Sequence, residues 1–424
     1  MKYIQNENDC KVFLNKISDT YSGADAPTKL EFAKEMLSNL DFDFSNPTKK
    51  ILIPYFGFGT IFYLTYLELK KYHSDNHIFE NMLFGMEENN YKISLLKVKL
   101  PVTNICKDCF LNKTYIDTQS YDLIILNSPF EDDMDFLSMK KGFELLKNGG
   151  TLISLHRAHL ILNKKRIYGV SDVDNDERVI LELIANNKCK IRFIDGRKDI
   201  SKVQDRTPLA ITYITKNETP SLKVRYEYCT NDKKFIELES IDDIWIHGNH
   251  IHTKSIILKL LSKKTSSLRD REYKPAKGTG LSLGWYLRIS LIASDFPSIQ
   301  TGTASGYYCL IPKTTITKKR KIIFNRKQLS NLQKGGQYIS FSTKKEAQNC
   351  ADFLICKFGR FLVSLYKTNS NLHRGELEIL PNLDFTKKWT SIDLYEYFSI
   401  SNEEIDFIES YIEDWYDFEF KNKK

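Results

Sequence analysis

Between residues 28 and 215 short apolar runs alternate with segments whose apolar residues recur at helical spacing. The stretch 28–40 (TKLEFAKEMLSNL) puts Leu30, Phe32, Ala33, Met36, Leu37 and Leu40 on one side of a helix. Runs at 50–55 (KILIPY), 82–86 (MLFGM), 102–106 (VTNIC), 122–126 (DLIIL) and 151–155 (TLISL) predict strands. Segments 60–72, 89–98 and 134–147 predict the helices between them. Strands that are apolar throughout and separated by helices belong to a parallel sheet covered on both faces. Two further runs, 189–194 (CKIRFI) and 208–215 (PLAITYIT), follow a helix near 176–187 and complete the sheet. The expected fold class is α/β, with a Rossmann-like sheet.

Beyond about residue 217 the pattern breaks into short pieces joined by polar loops, such as KKTSSLRDREYKPAKGTG (263–280) and PKTTITKKRK (312–321). The chain therefore divides into 1–216, with a helical segment at 1–49, then 217–380 of α+β character. The acidic helical segment 381–424 contains NEEIDFIESYIEDWYDF.

Charge sharpens this division. Residues 1–160 carry 18 Lys+Arg against 21 Asp+Glu, residues 161–380 carry 39 against 22, and the last 44 residues carry 5 against 11. A basic excess confined to the central block suits a polyanion contact, although a solvated lysine-rich surface has the same composition. Eight cysteines scattered over 424 residues do not read as a disulfide framework. No window approaches the roughly 18 consecutive apolar residues of a membrane span. The start MKYIQNENDCKVF has no apolar signal core, so no membrane and a cytoplasmic setting are expected.

In a doubly wound sheet, ligands bind beyond the carboxyl ends of the strands. The first strand ends in ILIPYFGFGT (51–60), where two glycines and a threonine lead into a helix, as a tight turn past a ligand requires. The second ends in Gly85-Met86-Glu87-Glu88, which offers an acid to a ribose diol. The fourth ends in Asn127-Ser128-Pro129-Phe130. There the Asn127 amide oxygen and the Ser128 carbonyl can accept hydrogen bonds from an amino group, and Phe130 can stack on a planar base. Pro129 restricts Ser128 to extended backbone, which aims that carbonyl outward.

The ordered set PT (27–28), FGFG (56–59), GMEE (85–88), NSPF (127–130) and LLKNGGTLISL (145–155) resembles the adenine-amino DNA methyltransferases of restriction–modification systems. The group in question has its cofactor motif before its catalytic motif and its target-recognition region C-terminal. The resemblance covers about residues 20–215 by motif, and 370–410 also looks like the C-terminal segment of some members. It implies a sheet binding S-adenosylmethionine, a catalytic Asn127-Ser128-Pro129-Phe130 and a separate DNA-reading domain. Pro54, Gly57 and Gly59 would line the cofactor's amino-acid end, Thr60 would open the helix, and Pro27 and Thr28 would complete the methionine pocket. Glu87 would hold the ribose and Asp108, or else Cys109, would stand at the adenine ring. Asn127 and the Ser128 carbonyl would grip the target amino group, with Phe130 stacked on a flipped base. Duplex DNA is the implied partner, with a cognate restriction endonuclease or a partner methyltransferase subunit beside it.

The sequence departs from the family pattern at four positions. Ile53 replaces an acid, Phe56 and Phe58 replace small residues, and Ser128 replaces the first catalytic proline. Ser128 acts through its backbone in this reading, so Ile53 and the two phenyl rings beside the glycines matter more. A degenerate DNA-binding subunit partnering an active enzyme, or a protein-glutamine methyltransferase, are the competing readings.

Three other constellations carry less. Cys106-Lys-Asp-Cys109 is a lone pair without a second pair at zinc spacing. The acidic run Glu131–Asp135 reads as a solvated loop. Trp285, Tyr286 and Arg288 either read DNA or pack inside the second domain, and Lys318–Lys321 either contact phosphate or are solvated.

Overall fold

A computed structural model describes residues 3–21, 27–112, 120–162, 175–195, 208–227, 234–244, 250–273, 285–291, 297–303, 306–310, 337–365 and 379–412. They fall into two compact units, Met1–Gly248 and Asn249–Lys424. The loop at 312–321 with its lysine cluster lies outside the described residues.

The first unit is built on a nine-stranded sheet. In chain order its strands are β1 (Ile51–Pro54), β2 (Leu83–Met86), β3 (Ile105–Cys106), β4 (Tyr121–Leu126), β5 (Leu146–Arg157), β6 (Lys188–Asp195), β7 (Pro208–Thr215), β8 (Ser221–Tyr226) and β9 (Ile236–Leu238). Their spatial order is β3-β2-β1-β4-β5-β7-β6-β8-β9. Strands β1 to β5 run parallel, and β7 is antiparallel to both neighbours. This is a doubly wound, Rossmann-like α/β sheet whose order reverses between β1 and β4. The crevice beyond that reversal is where such sheets place a ligand.

Helices α1 (Glu7–Ser18), α2 (Leu30–Ser38), α3 (Thr60–Leu69), α4 (Asn90–Lys99), α5 (Met134–Leu145) and α6 (Asn175–Ala185) accompany the sheet. The central strands are apolar throughout because both of their faces are covered. Leu123 and Ile125 of β4 join one core with Phe32, Met36, Phe62 and Tyr63, while Ile124 and Leu126 join another with Met139, Leu145 and Ile180. Among the described residues no helix is long and apolar enough to cross a membrane.

Three sequence expectations change. Strand β3 has two residues rather than five. Strands β8 and β9 lie beyond the expected boundary near 217 yet extend the same sheet, so the first unit reaches Gly248. Residues 381–412 belong to the second unit instead of standing apart.

Strands β6 and β8 hold α2 through charge. The fully buried Arg192 places its guanidinium on Glu227, 2.7 Å and 3.1 Å away, and on Glu35, 2.8 Å away. Arg225 reaches the same Glu35 oxygen at 3.0 Å, and the Tyr213 hydroxyl donates to the Met36 carbonyl at 3.0 Å. Buried charges persist only when paired in this way.

The second unit contains an antiparallel sheet in the order β10-β14-β11-β12-β13. Its strands are β10 (Glu272–Tyr273), β11 (Trp285–Leu291), β12 (Pro297–Thr303), β13 (Gly306–Leu310) and β14 (Gln337–Phe341). Helices α7 (His250–Lys263), α8 (Lys344–Ile355), α9 (Lys357–Ser364), α10 (Ser391–Phe398) and α11 (Asn402–Tyr411) complete it. Phe341 meets Phe385, and Phe385 meets Phe353 of α8, both at 5.9 Å between ring centroids. Trp285 stands opposite Phe341 and Leu287 opposite the buried Ile339, so positions 285 and 287 share that face. Tyr286 and Arg288 take the alternate positions.

Candidate functional site

The site begins where β1 stops. Its four residues are buried, which leaves the chain no freedom until Tyr55. Three of the next five residues then take left-handed backbone: Tyr55 at φ 54°, Gly57 at 57° and Gly59 at 88°. The Gly59 amide closes the turn on the Phe56 carbonyl at 2.8 Å, and Gly59 caps the start of α3.

The two glycines differ in surroundings. A Cβ added to Gly59 would sit 2.9 Å from the Tyr63 ring and 3.1 Å from Leu96, so this glycine is required by close packing as well as by its φ. A Cβ on Gly57 would meet only the Tyr55 carbonyl oxygen, at 4.0 Å, so the loop is open at that point.

The acid at the end of β2 closes over this loop. The Gly57 amide donates to Glu87 Oε2 at 3.0 Å, and the Asn89 amide donates to Oε1 at 3.1 Å. Glu87 is thereby fixed beside the open glycine, with lone pairs left for further donors.

The phenyl rings that threatened the site are used elsewhere. Phe56 is 5% exposed and packs on Phe62, with ring centroids 5.7 Å apart, and on Gly85, whose bare Cα leaves it room. Phe58 is 6% exposed and lies 4.9 Å from the Tyr21 ring, with Lys92 Nζ over its face at 5.3 Å. Both rings lie in the packing of helices and strands rather than standing free beside Gly57.

At the end of β4, Asn127 is half-buried, Ser128 buried, Pro129 exposed and Phe130 half-buried against the α3-side core. Asn127 Nδ2 donates to the Thr28 hydroxyl at 3.0 Å. Among the described residues no donor reaches Asn127 Oδ1 or the Ser128 carbonyl. The Ser128 hydroxyl is buried and without a partner among them. Thr28 in turn accepts, on its carbonyl, the hydroxyl of Thr60 at 2.9 Å. Pro27 is buried beside it in sequence, and Pro54 is the last residue of β1, in register with Met86. The structure thus links Thr28, Thr60 and Asn127 directly, and Gly57 with Glu87.

The position after β3 is different. Asp108 Oδ1 accepts the Cys109 amide at 2.8 Å. Burial and a hydrogen bond with Glu88 push the Cys109 thiol above its ordinary pKa, so it rests protonated. Tyr55 lies nearby, edge-on to Phe110 at 5.8 Å, and takes a hydrogen bond from Ser138 at 3.3 Å. Burial pushes its hydroxyl up to about 12. Among the described residues no three His, Cys, Asp or Glu side chains gather as a metal site.

Two features escaped sequence reasoning. The acidic run 131–135 is not simply solvated: Asp135 is completely buried and bound by Arg157. The Thr28–Asn127 bond joins residues 99 apart, and no spacing rule could reveal it.

No protein-family model matches the chain, and no curated protein does. Among solved structures it is similar to a modification subunit of a putative type I restriction enzyme from Vibrio vulnificus YJ016. That likeness has 16% identity and a TM-score of 0.39, covering 50% of this chain and 49% of the other. It is also similar to a type I restriction-modification methyltransferase subunit from Streptococcus thermophilus, with 14% identity and a TM-score of 0.33, covering 53% and 51%. A third likeness, at 10% identity and TM-score 0.38, is to the type IIG restriction endonuclease BpuSI, covering 65% and 39%. The chain spans about half the length of the first two.

Proposed function

We propose that the chain is a DNA methyltransferase that uses S-adenosylmethionine to methylate the exocyclic amino group of adenine. The observation that carries this reading is the chain of contacts at the strand ends. Glu87 is bound to the Gly57 amide of an open glycine turn, and Thr60, which follows that turn, is bonded to Thr28. The Thr28 hydroxyl in turn holds the Asn127 amide, with no donor on Oδ1 among the described residues. The residues fit the cofactor. Gly57 leaves space where any side chain would intrude, Glu87 keeps acceptor capacity for a ribose diol, and Phe56 and Phe58 are packed away. Pro27, Thr28, Pro54, Gly59, Thr60 and Asp108 complete the proposed cofactor-binding set. When bound, the cofactor supplies a methyl group activated by its sulfonium.

The chain's own part is orientation and electrostatics. An adenine amino nitrogen has its lone pair delocalised into the ring and is a poor nucleophile. Accepting its two N–H groups at Asn127 Oδ1 and the Ser128 carbonyl would favour a tetrahedral nitrogen with the lone pair turned toward the methyl group. Phe130 would stack on the extruded base and offset part of the few kcal/mol that unstacking costs. The basic excess over residues 161–380 would supply phosphate contacts, giving salt-sensitive affinity for duplex DNA.

The test is transfer of a labelled methyl group from S-adenosylmethionine to AT-rich duplex, with calorimetry of cofactor binding alongside. Transfer that Asn127→Ala abolishes while cofactor binding persists supports the proposal. DNA binding without any cofactor binding would favour the second reading, a degenerate subunit that serves a partner enzyme.

A further inference from the structure

We propose that Thr28 is a positioning residue that sets which end of the Asn127 amide faces the target. The proposal rests on the methyl-transfer reading above. An asparagine side chain can present either its oxygen or its NH2 by a half-turn of the amide, and only the oxygen can accept from an amino group. The Thr28 hydroxyl accepts Nδ2–H at 3.0 Å, so in this arrangement the nitrogen faces Thr28 and Oδ1 faces the other way. Replacing the hydroxyl by a methyl would remove this bias and let the NH2 face another amino group part of the time.

Thr28 is itself held from both sides. Its carbonyl takes the hydroxyl of Thr60, the buried first residue of the helix that follows Gly59. The α2 helix just beyond it is pinned through Glu35 to Arg192 and Arg225, and through the Met36 carbonyl to Tyr213. One residue therefore ties the glycine turn to the amide at the end of β4, and any shift of the turn reaches Asn127 through it.

The experiment compares wild type, Thr28→Val and Thr28→Ser in steady-state transfer of labelled methyl groups to duplex. T28V is expected to lower kcat about 10- to 100-fold, the scale of a misaligned reacting group, with KM for duplex changed less than about threefold. T28S keeps the hydroxyl and is expected to recover kcat to within about threefold of wild type. Thr28 is only half-buried, and chemical denaturation of each variant checks folding. Should T28V fail to fold, T28A against T28S makes the same comparison. Unchanged kcat in T28V overturns the proposal, and so does T28S falling as far as T28V. A wild-type protein that transfers no methyl group overturns the functional reading and the positioning role with it.

Discussion

Arg157 grips Asp135 with a fork: Nε donates to Oδ2 at 3.1 Å and Nη2 to Oδ1 at 2.7 Å, while the Arg157 backbone amide adds a third bond at 3.1 Å. Asp135 is fully buried in the first turn of α5, five residues after Phe130. The same Nη2 reaches Asp133 at 2.6 Å, which sits with Asp132 in left-handed backbone at φ 57° and 47°. The segment that follows the NSPF motif is thus clamped to the end of β5.

Removing the arginine would leave a buried carboxylate without its counter-charge. Arg157→Met is expected to lower stability by about 3 kcal/mol or more. Adding Asp135→Asn should cost less than the sum of the single changes, because both remove one interaction. Urea denaturation of the four proteins measures this. A loss under about 1 kcal/mol in R157M would mean that the clamp contributes little.

The two glycines should separate folding from ligand binding. Gly59→Ala forces a Cβ to within 2.9 Å of Tyr63 at φ 88°, so it should destabilise the protein by about 1–3 kcal/mol. Gly57→Ala pays backbone strain of about 1–2 kcal/mol but meets no side chain. It should instead weaken S-adenosylmethionine binding at least about tenfold, equal to about 1.4 kcal/mol, by filling the open side of the turn. Calorimetry with the cofactor, paired with thermal melts, distinguishes the two effects. Equal cofactor affinity in G57A and wild type would show that the open side of the turn is not the binding surface.

Asp122 ties the opposite ends of the strands. It accepts from Lys147 at 2.8 Å, Lys49 at 3.1 Å and the Lys50 amide at 2.9 Å. Burial alone would raise its pKa, but the lysines and the amide overbalance it and hold the carboxyl below its ordinary value. A carboxyl depressed in the folded state stabilises above its unfolded pKa, near 4, and that contribution fades as pH falls through the folded value. Asp122→Asn should therefore destabilise at pH 7 by about 1–3 kcal/mol. The gap from wild type should narrow below about pH 4. Methyl transfer should be unaffected once the variant is folded. A gap that does not change with pH would rule out the charged network as its source.

The sheet was legible because its central strands are buried on both faces and so read as unbroken apolar runs. Ile51–Pro54 and Leu123–Leu126 could hardly be anything else. The edges were not. Ser221–Tyr226 alternates polar and apolar residues, and Ile236–Leu238 is three residues long, so the sheet extends past the point where composition changes. The parts of the candidate site could be placed where they follow strand ends, as at Gly57, Glu87 and Asn127. What sequence hid was pairing at a distance, because Arg157 with Asp135 and Arg192 with Glu227 and Glu35 appear along the chain only as isolated charges. The phenyl rings at 56 and 58 looked obstructive only because their direction is a tertiary fact.

The most direct test is nucleoside analysis by mass spectrometry of duplex DNA incubated with the protein and S-adenosylmethionine. N6-methyladenine in the wild-type digest, absent with Asn127→Ala, is the result expected. A digest without methylated adenine, with methylated cytosine in its place, or with the same yield from the Asn127→Ala variant would contradict it.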